Sequence, residues 1–303
     1  MFIILNNKAK RYIGVVMATV LIFCFSFLVL FSVSKSVFND TQTGILSEDK
    51  VLVPIVMYHS ILKKSAEMGK YVITPREFEN DLIYLKNHNY KTINMTDLIN
   101  YVYHNSEIPP KPVIITFDDG NLNNYIYGKP LLEKYEMKAV ISVVGKYSEQ
   151  FSDTLASNIP PTNNPNYAYA SWEQIKEMSS SGYFEIQNHT YNLHSTGKRL
   201  GIKRKKGENT EAYKDMLKAD IIKLQDKLTE VTGIRPNTFT YPFGYISKES
   251  KEVLKSLDFK ATLSCAEGVN IINKDKEDTL FGLKRNNRPH GISSENFFEK
   301  ICP

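Results

Sequence analysis

The chain has 303 residues, of which 42% are hydrophobic and 23% are charged, and it carries a net charge of +5. These values are ordinary for a folded protein, and the length suits one domain of barrel size. The mild positive charge gives no evidence for nucleic-acid binding, although it would favour contact with an anionic envelope. The three cysteines include no CxxC pair, which excludes a thiol redox motif or a zinc ribbon, while Cys265 and Cys302 could pair in an oxidising compartment.

The N-terminal region predicts a membrane segment. Residues 12–34 carry no charge, three basic residues precede them, and Lys35 ends the stretch. At about 1.5 Å per residue, such a helix can cross a hydrocarbon core of roughly 30 Å, and the preceding bases favour a cytoplasmic N-terminus. A signal peptide cleaved near residue 34, which would give a secreted protein, is the alternative. We expect a single-pass protein of the cell membrane with an extracellular domain, divided into a cytoplasmic tail (1–11), a transmembrane anchor (12–34), a linker (35–50) and the domain itself (51–303).

Beyond the linker, strand patterns alternate with helix patterns. Runs of apolar, largely β-branched residues predict buried strands at 51–61, 112–117, 138–144, 183–189, 237–244, 260–264 and 282–287. Helical spacing of apolar residues predicts helices within 74–90, 91–105, 128–137, 171–182, 212–233, 247–258 and 293–301. The first helix has Thr74 as its N-cap, Pro75 at its first position and Glu77 completing a capping box. Thr96 is the expected cap of the second helix.

This alternation predicts an α/β fold with parallel strands and crossover helices. The number of repeats favours a barrel over a dinucleotide-binding sheet, and no GxGxxG or Walker sequence is present. Residues 158–169 and 195–210 do not fit the pattern, and we expect them to be loops over one face. The basic run from Lys198 to Lys206 in the second loop is either a solvated surface or a contact for an anionic polymer.

Polar residues stand at the carboxyl ends of three predicted strands, where a parallel barrel carries its active site. Asp118 and Asp119 follow the first, His189 and His194 follow the second, and "TYPFG" (240–244) ends the third. One aspartate with two histidines is a suitable set of ligands for a divalent metal that keeps an open position for water. A second carboxylate beside the metal could take a proton from that water. The cation also makes two adjacent acids favourable, which explains a pair that would otherwise repel.

Each of these motifs is common without a metal. An Asp-Asp pair often forms a turn, and residues five apart do not share a face of a helix, so His189 and His194 must lie on a loop to bind one ion. The occurrence of all three at strand ends favours a metal site.

The motifs "TFDDG", "HTYNLH" and "YPFG", in this order, resemble those of the polysaccharide deacetylases of carbohydrate esterase family four, the NodB homology domain. The resemblance covers residues 51–303, with the catalytic motifs within 111–303, and "PIVMYHSI" is similar to the extracellular branch acting on N-acetylglucosamine polymers. It implies a distorted (β/α) barrel of about seven parallel strands. It also implies a metal-dependent hydrolase, with zinc as the expected metal, that removes N-acetyl groups from N-acetylglucosamine units of an envelope or exported polysaccharide and releases acetate. The alternative is a non-catalytic carbohydrate-binding protein on the same fold.

The resemblance also implies roles for individual residues. Asp118 matches the general base of the family, and Asp119, His189 and His194 match its metal ligands. Phe243 matches the residue whose backbone N–H binds the oxyanion.

The sequence departs from the family pattern in three places. The common spacing of the two histidines is four, whereas His189 and His194 are five residues apart, as in the branch related to biofilm poly-N-acetylglucosamine deacetylases. Tyr241 stands where the family has an arginine that orients the base, and "LKR" (283–285) stands where Leu-x-His supplies the general acid. His290 is then either a loop residue or the acid, and His59 is either a packed, hydrogen-bonded side chain or a site residue. Tyr191 and Tyr241, which lie within or beside the motifs, are the expected substrate contacts.

Overall fold

The computed structural model describes residues 45–47, 50–63, 69–156, 164 and 167–302. The predicted cytoplasmic tail, the predicted anchor and most of the predicted linker lie outside this part of the chain, as does most of the predicted loop 158–169. Within the described residues, no helix has the length and apolar character needed to span a membrane.

The described residues contain fourteen strands and eight α-helices. The strands are β1 (Ile45–Ser47), β2 (Lys50–Val53), β3 (Ile55–Tyr58), β4 (Ser60–Ile61), β5 (Val72–Ile73), β6 (Lys91–Thr92), β7 (Pro112–Phe117), β8 (Ala139–Val143), β9 (Phe184–Asn188), β10 (Thr238–Thr240), β11 (Ala261–Leu263), β12 (Asn270–Asn273), β13 (Phe281–Leu283) and β14 (Asn286–Asn287). The helices are α1 (Pro75–Asn87), α2 (Met95–His104), α3 (Lys129–Tyr135), α4 (Gly145–Ala156), α5 (Trp172–Ser180), α6 (Thr210–Thr232), α7 (Ser250–Ser256) and α8 (Ser294–Phe298).

One curled parallel sheet forms the centre of the fold. Its strand order is β13-β11-β10-β9-β8-β7-β3-β14, and β6 pairs additionally with β7. Every neighbouring pair is parallel. The residues of β3, β7 and β8 are all buried, because helices cover a parallel sheet and leave little of it to water. The α/β prediction is confirmed, and the carboxyl ends of these strands lie together at one edge.

The sheet curls without direct pairing between its two outer strands. The predicted strand 282–287 is two strands: β13 pairs with β11 at one edge of the sheet, and β14 pairs with β3 at the other. Lys284 and Arg285 therefore cross from one edge to the other. This crossing closes the curl with two residues in place of a continuous ladder.

Other elements also differ from the prediction. Segment 51–61 breaks at Pro54 and His59 into β2, β3 and β4, because proline cannot donate to a strand ladder. β2 leaves the main sheet and pairs antiparallel with β12 and with β1, which lies in the segment predicted as a linker.

Helix starts follow side-chain capping. Thr74 and Glu77 form the expected capping box at α1. The expectation for Thr96 is wrong, since α2 begins at Met95, and the backbone N–H of Thr96 donates to Glu185. Helix α4 was not predicted.

The loop 195–210 forms one ion pair within itself and a second with Glu249, which precedes α7. Arg199 binds Glu208, and Arg204 binds Glu249 with an Nε–Oε1 distance of 3.0 Å. The four lysines of the basic run are exposed, which favours the solvated reading of that segment. Cys265 and Cys302 are both free thiols.

Candidate active site

The two aspartates sit on a sharp turn at the carboxyl end of β7. Asp119 has φ of 73° and Gly120 has φ of 77°, so the chain passes through two left-handed residues in succession. Glycine adopts this conformation without cost, and a Cβ on Gly120 would lie only 3.0 Å from Val143 Cγ1. The turn gives neighbouring aspartates different surroundings.

Asp119 faces the two histidines. Its Oδ1 lies 3.1 Å from His194 Nε2 and 3.6 Å from His189 Nε2. The other ring nitrogen of His189, Nδ1, is 2.8 Å from the carbonyl oxygen of Thr240, which directs Nε2 toward Asp119. Tyr147 fixes the loop at its far end by donating its hydroxyl to the carbonyl oxygen of His194 at 3.1 Å.

This cluster has the composition and spacing of a metal site. One potential ligand atom from each of Asp119, His189 and His194 lies within 4.8 Å of the others. A histidine that binds a metal through Nε2 commonly donates Nδ1–H to a backbone carbonyl, as His189 can do here. The donor set fits a divalent cation that prefers nitrogen and oxygen ligands.

The electrostatics of the cluster follow from the same contacts. Burial would raise the pKa of Asp119, but its interactions with His189 and His194 outweigh burial and hold that pKa well below the ordinary value. Burial would likewise lower the pKa of His189, yet the interaction with Asp119 raises it. Asp119 is therefore ionised, as a metal ligand must be.

Asp118 binds Arg285 instead of the two histidines. Both Nη1–Oδ1 and Nη2–Oδ2 distances are 2.7 Å, and both side chains are buried. Arg285 Nε donates to the carbonyl oxygen of Ser264 at 2.8 Å, and Nη1 lies 3.3 Å from Thr116 Oγ1. Burial would raise the pKa of Asp118, but the charge and hydrogen bonds of Arg285 hold it below its ordinary value.

Arg285 thus supplies the arginine that is missing at Tyr241. Arg285 was not predicted as a site residue, because "LKR" indicates only the loss of a histidine. A signal was present, because 282–287 is the one predicted strand with basic residues in its middle. A buried Asp118 requires a cation, and this segment could provide one.

His59 lies near Asp118. It directly follows β3, whose Tyr58 pairs with Phe117 of β7, and the carbonyl oxygen of Tyr58 accepts the N–H of Asp118 at 3.0 Å. His59 Nδ1 is buried and has no hydrogen-bond partner among the described residues. The reading of His59 as a hydrogen-bonded packing residue is therefore wrong for Nδ1. Burial, Arg285 and His189 have larger effects on the pKa of Asp118, but the imidazole of His59 also lies close enough to lower it.

The remaining predicted residues differ in position. Phe243 has φ of 55°, is 45% exposed, and places its ring 4.3 Å from that of His194. Tyr241 is only 2% exposed and packs on Phe239, so its prediction as a substrate contact is wrong.

Tyr191 donates its hydroxyl to Glu149, and Lys223 Nζ lies 3.6 Å from the ring centroid. These contacts occupy the hydroxyl and one ring face, and a substrate role for Tyr191 stays a prediction. His290 pairs with Glu77 at 2.9 Å in an exposed loop and takes no part in the cluster, which favours its reading as a loop residue.

Comparison with known proteins gives matches to a single family. A family profile described as polysaccharide deacetylase matches residues 105–262, slightly more than half of the chain. The chain is similar to the poly-beta-1,6-N-acetyl-D-glucosamine N-deacetylase of Escherichia coli K12, with 21% identity over 260 residues, 81% of this chain and 38% of that protein. It is similar to the protein of the same name from Staphylococcus aureus MSSA476, with 25% identity over 203 residues, 67% of this chain and 64% of that protein. The chain thus matches less than two thirds of the length of either relative.

Solved structures support the fold. The Streptococcus pyogenes deacetylase PplD in complex with acetate aligns with a TM-score of 0.66 and 22% identity, over 84% of this chain and 99% of that one. A de-N-acetylase from Aggregatibacter actinomycetemcomitans aligns with a TM-score of 0.67 and 23% identity, over 83% and 98% of the two chains. With the profile match and the three strand-end motifs gathered at one edge of the sheet, these likenesses lead to one conclusion: the chain belongs to the polysaccharide deacetylase family.

Proposed function

We propose that the protein is a divalent-metal-dependent amidase that removes acetyl groups from N-acetylglucosamine units of a polysaccharide. The observation that carries this proposal is that Asp118 and Asp119 have different contacts. One carboxylate lies with two histidines as a metal site, and the other is held beside it by a buried arginine. A carbohydrate-binding protein on the same fold would need neither a metal cluster nor an oriented second carboxylate.

Asp119, His189 and His194 would hold the metal, and zinc suits two imidazoles and one carboxylate. A bound divalent ion would polarise the acetyl carbonyl and lower the pKa of the attacking water. These three residues leave part of the ion's surroundings open, as a catalytic site requires.

The protein's own groups move the protons. Asp118 accepts a proton from the attacking water, and the two hydrogen bonds from Arg285 fix the direction of its carboxylate. His59, which directly follows β3, donates a proton to the amide nitrogen as the C–N bond breaks. Acetate then leaves, and the sugar keeps a free amine. The backbone N–H of Phe243, on the turn beside His194, is the candidate donor to the oxyanion.

The proposed substrate is poly-β-1,6-N-acetylglucosamine, because the two relatives described above bear that name. The test is acetate release by the purified, zinc-loaded chain from this polymer, from β-1,4-linked chitin oligomers and from peptidoglycan. We expect release to be fastest from the β-1,6-linked polymer, to stop with a chelator, and to be lost in Asp119→Ala. Binding of a polymer without acetate release from any of the three would favour the carbohydrate-binding alternative.

We further propose that the domain from Val51 onward is extracellular and anchored by residues 12–34. The support is the uncharged stretch with preceding basic residues. Protease treatment of intact cells should degrade the domain. Protection of the domain until the cells are lysed would contradict this topology.

A further inference from the structure

The loop that joins the two histidines of the cluster has an unusual set of hydrogen bonds. The backbone N–H of Thr190 donates to Asn188 Oδ1 at 2.9 Å. The N–H groups of Tyr191 and Asn192 donate to the two carboxylate oxygens of Asp220, at 2.8 Å to Oδ1 and 2.9 Å to Oδ2. Three consecutive N–H groups are thus satisfied by side chains, and Asp220 on α6 accepts two of them.

The opposite side of the loop is held by the start of α4. Gly145 N donates to the carbonyl oxygen of Thr190 at 3.1 Å, and Lys146 N donates to that of Tyr191 at 2.8 Å. Gly145 has to be a glycine, because a Cβ there would lie 2.6 Å from Tyr191 Cδ2 and 2.9 Å from Leu224 Cδ1. The loop is therefore held between α4 and α6.

These contacts hold Thr190 in a strained conformation. Thr190 has φ of 72°, which is a rare conformation for a β-branched residue. Its Oγ1 is buried and has no hydrogen-bond partner among the described residues. Such strain persists only where surrounding contacts determine the conformation, and it commonly occurs at functional sites.

We propose that Asp220 is a positioning residue that sets the geometry of the metal loop by binding the Tyr191 and Asn192 amides between His189 and His194. Asp220 touches neither histidine, so it acts only through the backbone. Burying this carboxylate is costly: burial raises the pKa of Asp220 to about 6, even though the Asn192 N–H and Lys223 act to lower it. Asp220 serves the loop despite that cost, because no other described group accepts the N–H groups of Tyr191 and Asn192.

The proposal rests on the metal site of the proposed function, but it does not depend on the substrate. It can be tested by Zn²⁺ affinity alone, with competition against a chromophoric chelator. Asp220→Asn keeps the size of the side chain but turns one acceptor into a donor facing an amide N–H. Partners that orient metal ligands typically contribute about 10–100-fold to metal affinity, and we expect a loss of that order. The matched control is Asp226→Asn on the same helix, whose carboxylate is 66% exposed and pairs with Arg235.

Two further measurements separate positioning from general stability. The apoprotein of Asp220→Asn should melt close to the wild type, and the d–d absorption of its Co²⁺ complex should be altered because the His189–His194 geometry changes. Asp220→Glu, which keeps both acceptor oxygens, should recover part of the affinity. Wild-type Zn²⁺ affinity in Asp220→Asn, or an equal loss in Asp226→Asn, would overturn the proposal. A lack of acetate release from every polymer would instead contradict the proposed function and leave the affinity result interpretable.

Discussion

Replacement of Asp118 and replacement of Asp119 should have different effects on metal content and on acetate release. Asp119→Ala removes one of the three proposed metal ligands, so it should lower metal content and activity together. Asp118→Asn removes no ligand of the cluster, so metal content should stay at the wild-type level. It removes the proposed proton acceptor, which should lower the rate of acetate release about 10²–10⁴-fold.

The structure also predicts what Asp118→Asn does to stability. The amide keeps one acceptor for Arg285 but presents an NH₂ group where the second oxygen stood 2.7 Å from Nη2. The buried guanidinium then lacks a counter-charge, and breaking such a pair costs about 3–5 kcal/mol. That cost lies at or below the usual stability of a domain, about 5–15 kcal/mol, so we expect a folded but weaker protein.

The matched control is Asp81→Asn. Asp81 and Arg288 form a second buried pair, with distances of 2.8 Å and 3.0 Å, outside the metal cluster. The control should lose a similar free energy of unfolding while acetate release per folded molecule stays near the wild type. The measurements are urea unfolding, elemental analysis and acetate release for all three variants. Equal metal loss in Asp118→Asn and Asp119→Ala would mean that both are ligands, and full activity of Asp118→Asn would remove it from the mechanism.

Three further substitutions test the rest of the site. Arg285→Lys cannot hold both oxygens of Asp118, so activity should fall about 10–100-fold with metal content unchanged; undiminished activity would contradict the orienting role. His59→Ala should slow amide hydrolysis about 10²–10⁴-fold, but aryl acetates, whose leaving group needs no proton, should be affected much less, and equal loss on both would refute its role as the acid. His290→Ala breaks only an exposed pair with Glu77, worth about 0–1 kcal/mol, and should leave acetate release near the wild type; a loss as complete as that of Asp119→Ala would make His290 the acid.

Local sequence patterns predicted the parts of the site that are local in the chain. Asp118 and Asp119 could be recognised because they follow a fully apolar strand, and parallel strands bring their carboxyl ends together. His189 and His194 could be recognised because they stand at the end of another predicted strand, 183–189. In each case the strand and the polar residues that it positions are neighbours in sequence.

The missed residues are those whose roles depend on distant contacts. Arg285 binds a carboxylate 167 positions away, and an arginine beside a lysine reads as a surface residue when only its neighbours are considered. Tyr241 was assigned by its place beside a motif, although strand β10 and the turn after it direct its side chain into the core. The spacing of residues in the sequence does not show which side chains at a strand end are buried and which are accessible.

The crossing at Lys284 and Arg285 has a consequence for the order of events during folding. Asp118, the proposed base, directly follows β7, but Arg285 is held in place only when β13 and β14 have docked on opposite edges of the sheet. Long-range pairings of this kind form late, because closing a long loop costs entropy before the contacts compensate for it. A chain synthesised from its N-terminus would therefore complete the loop of the proposed metal site before Arg285 could orient the proposed base, Asp118. The proposed hydrolysis would be possible only after β13 and β14 have docked on the sheet.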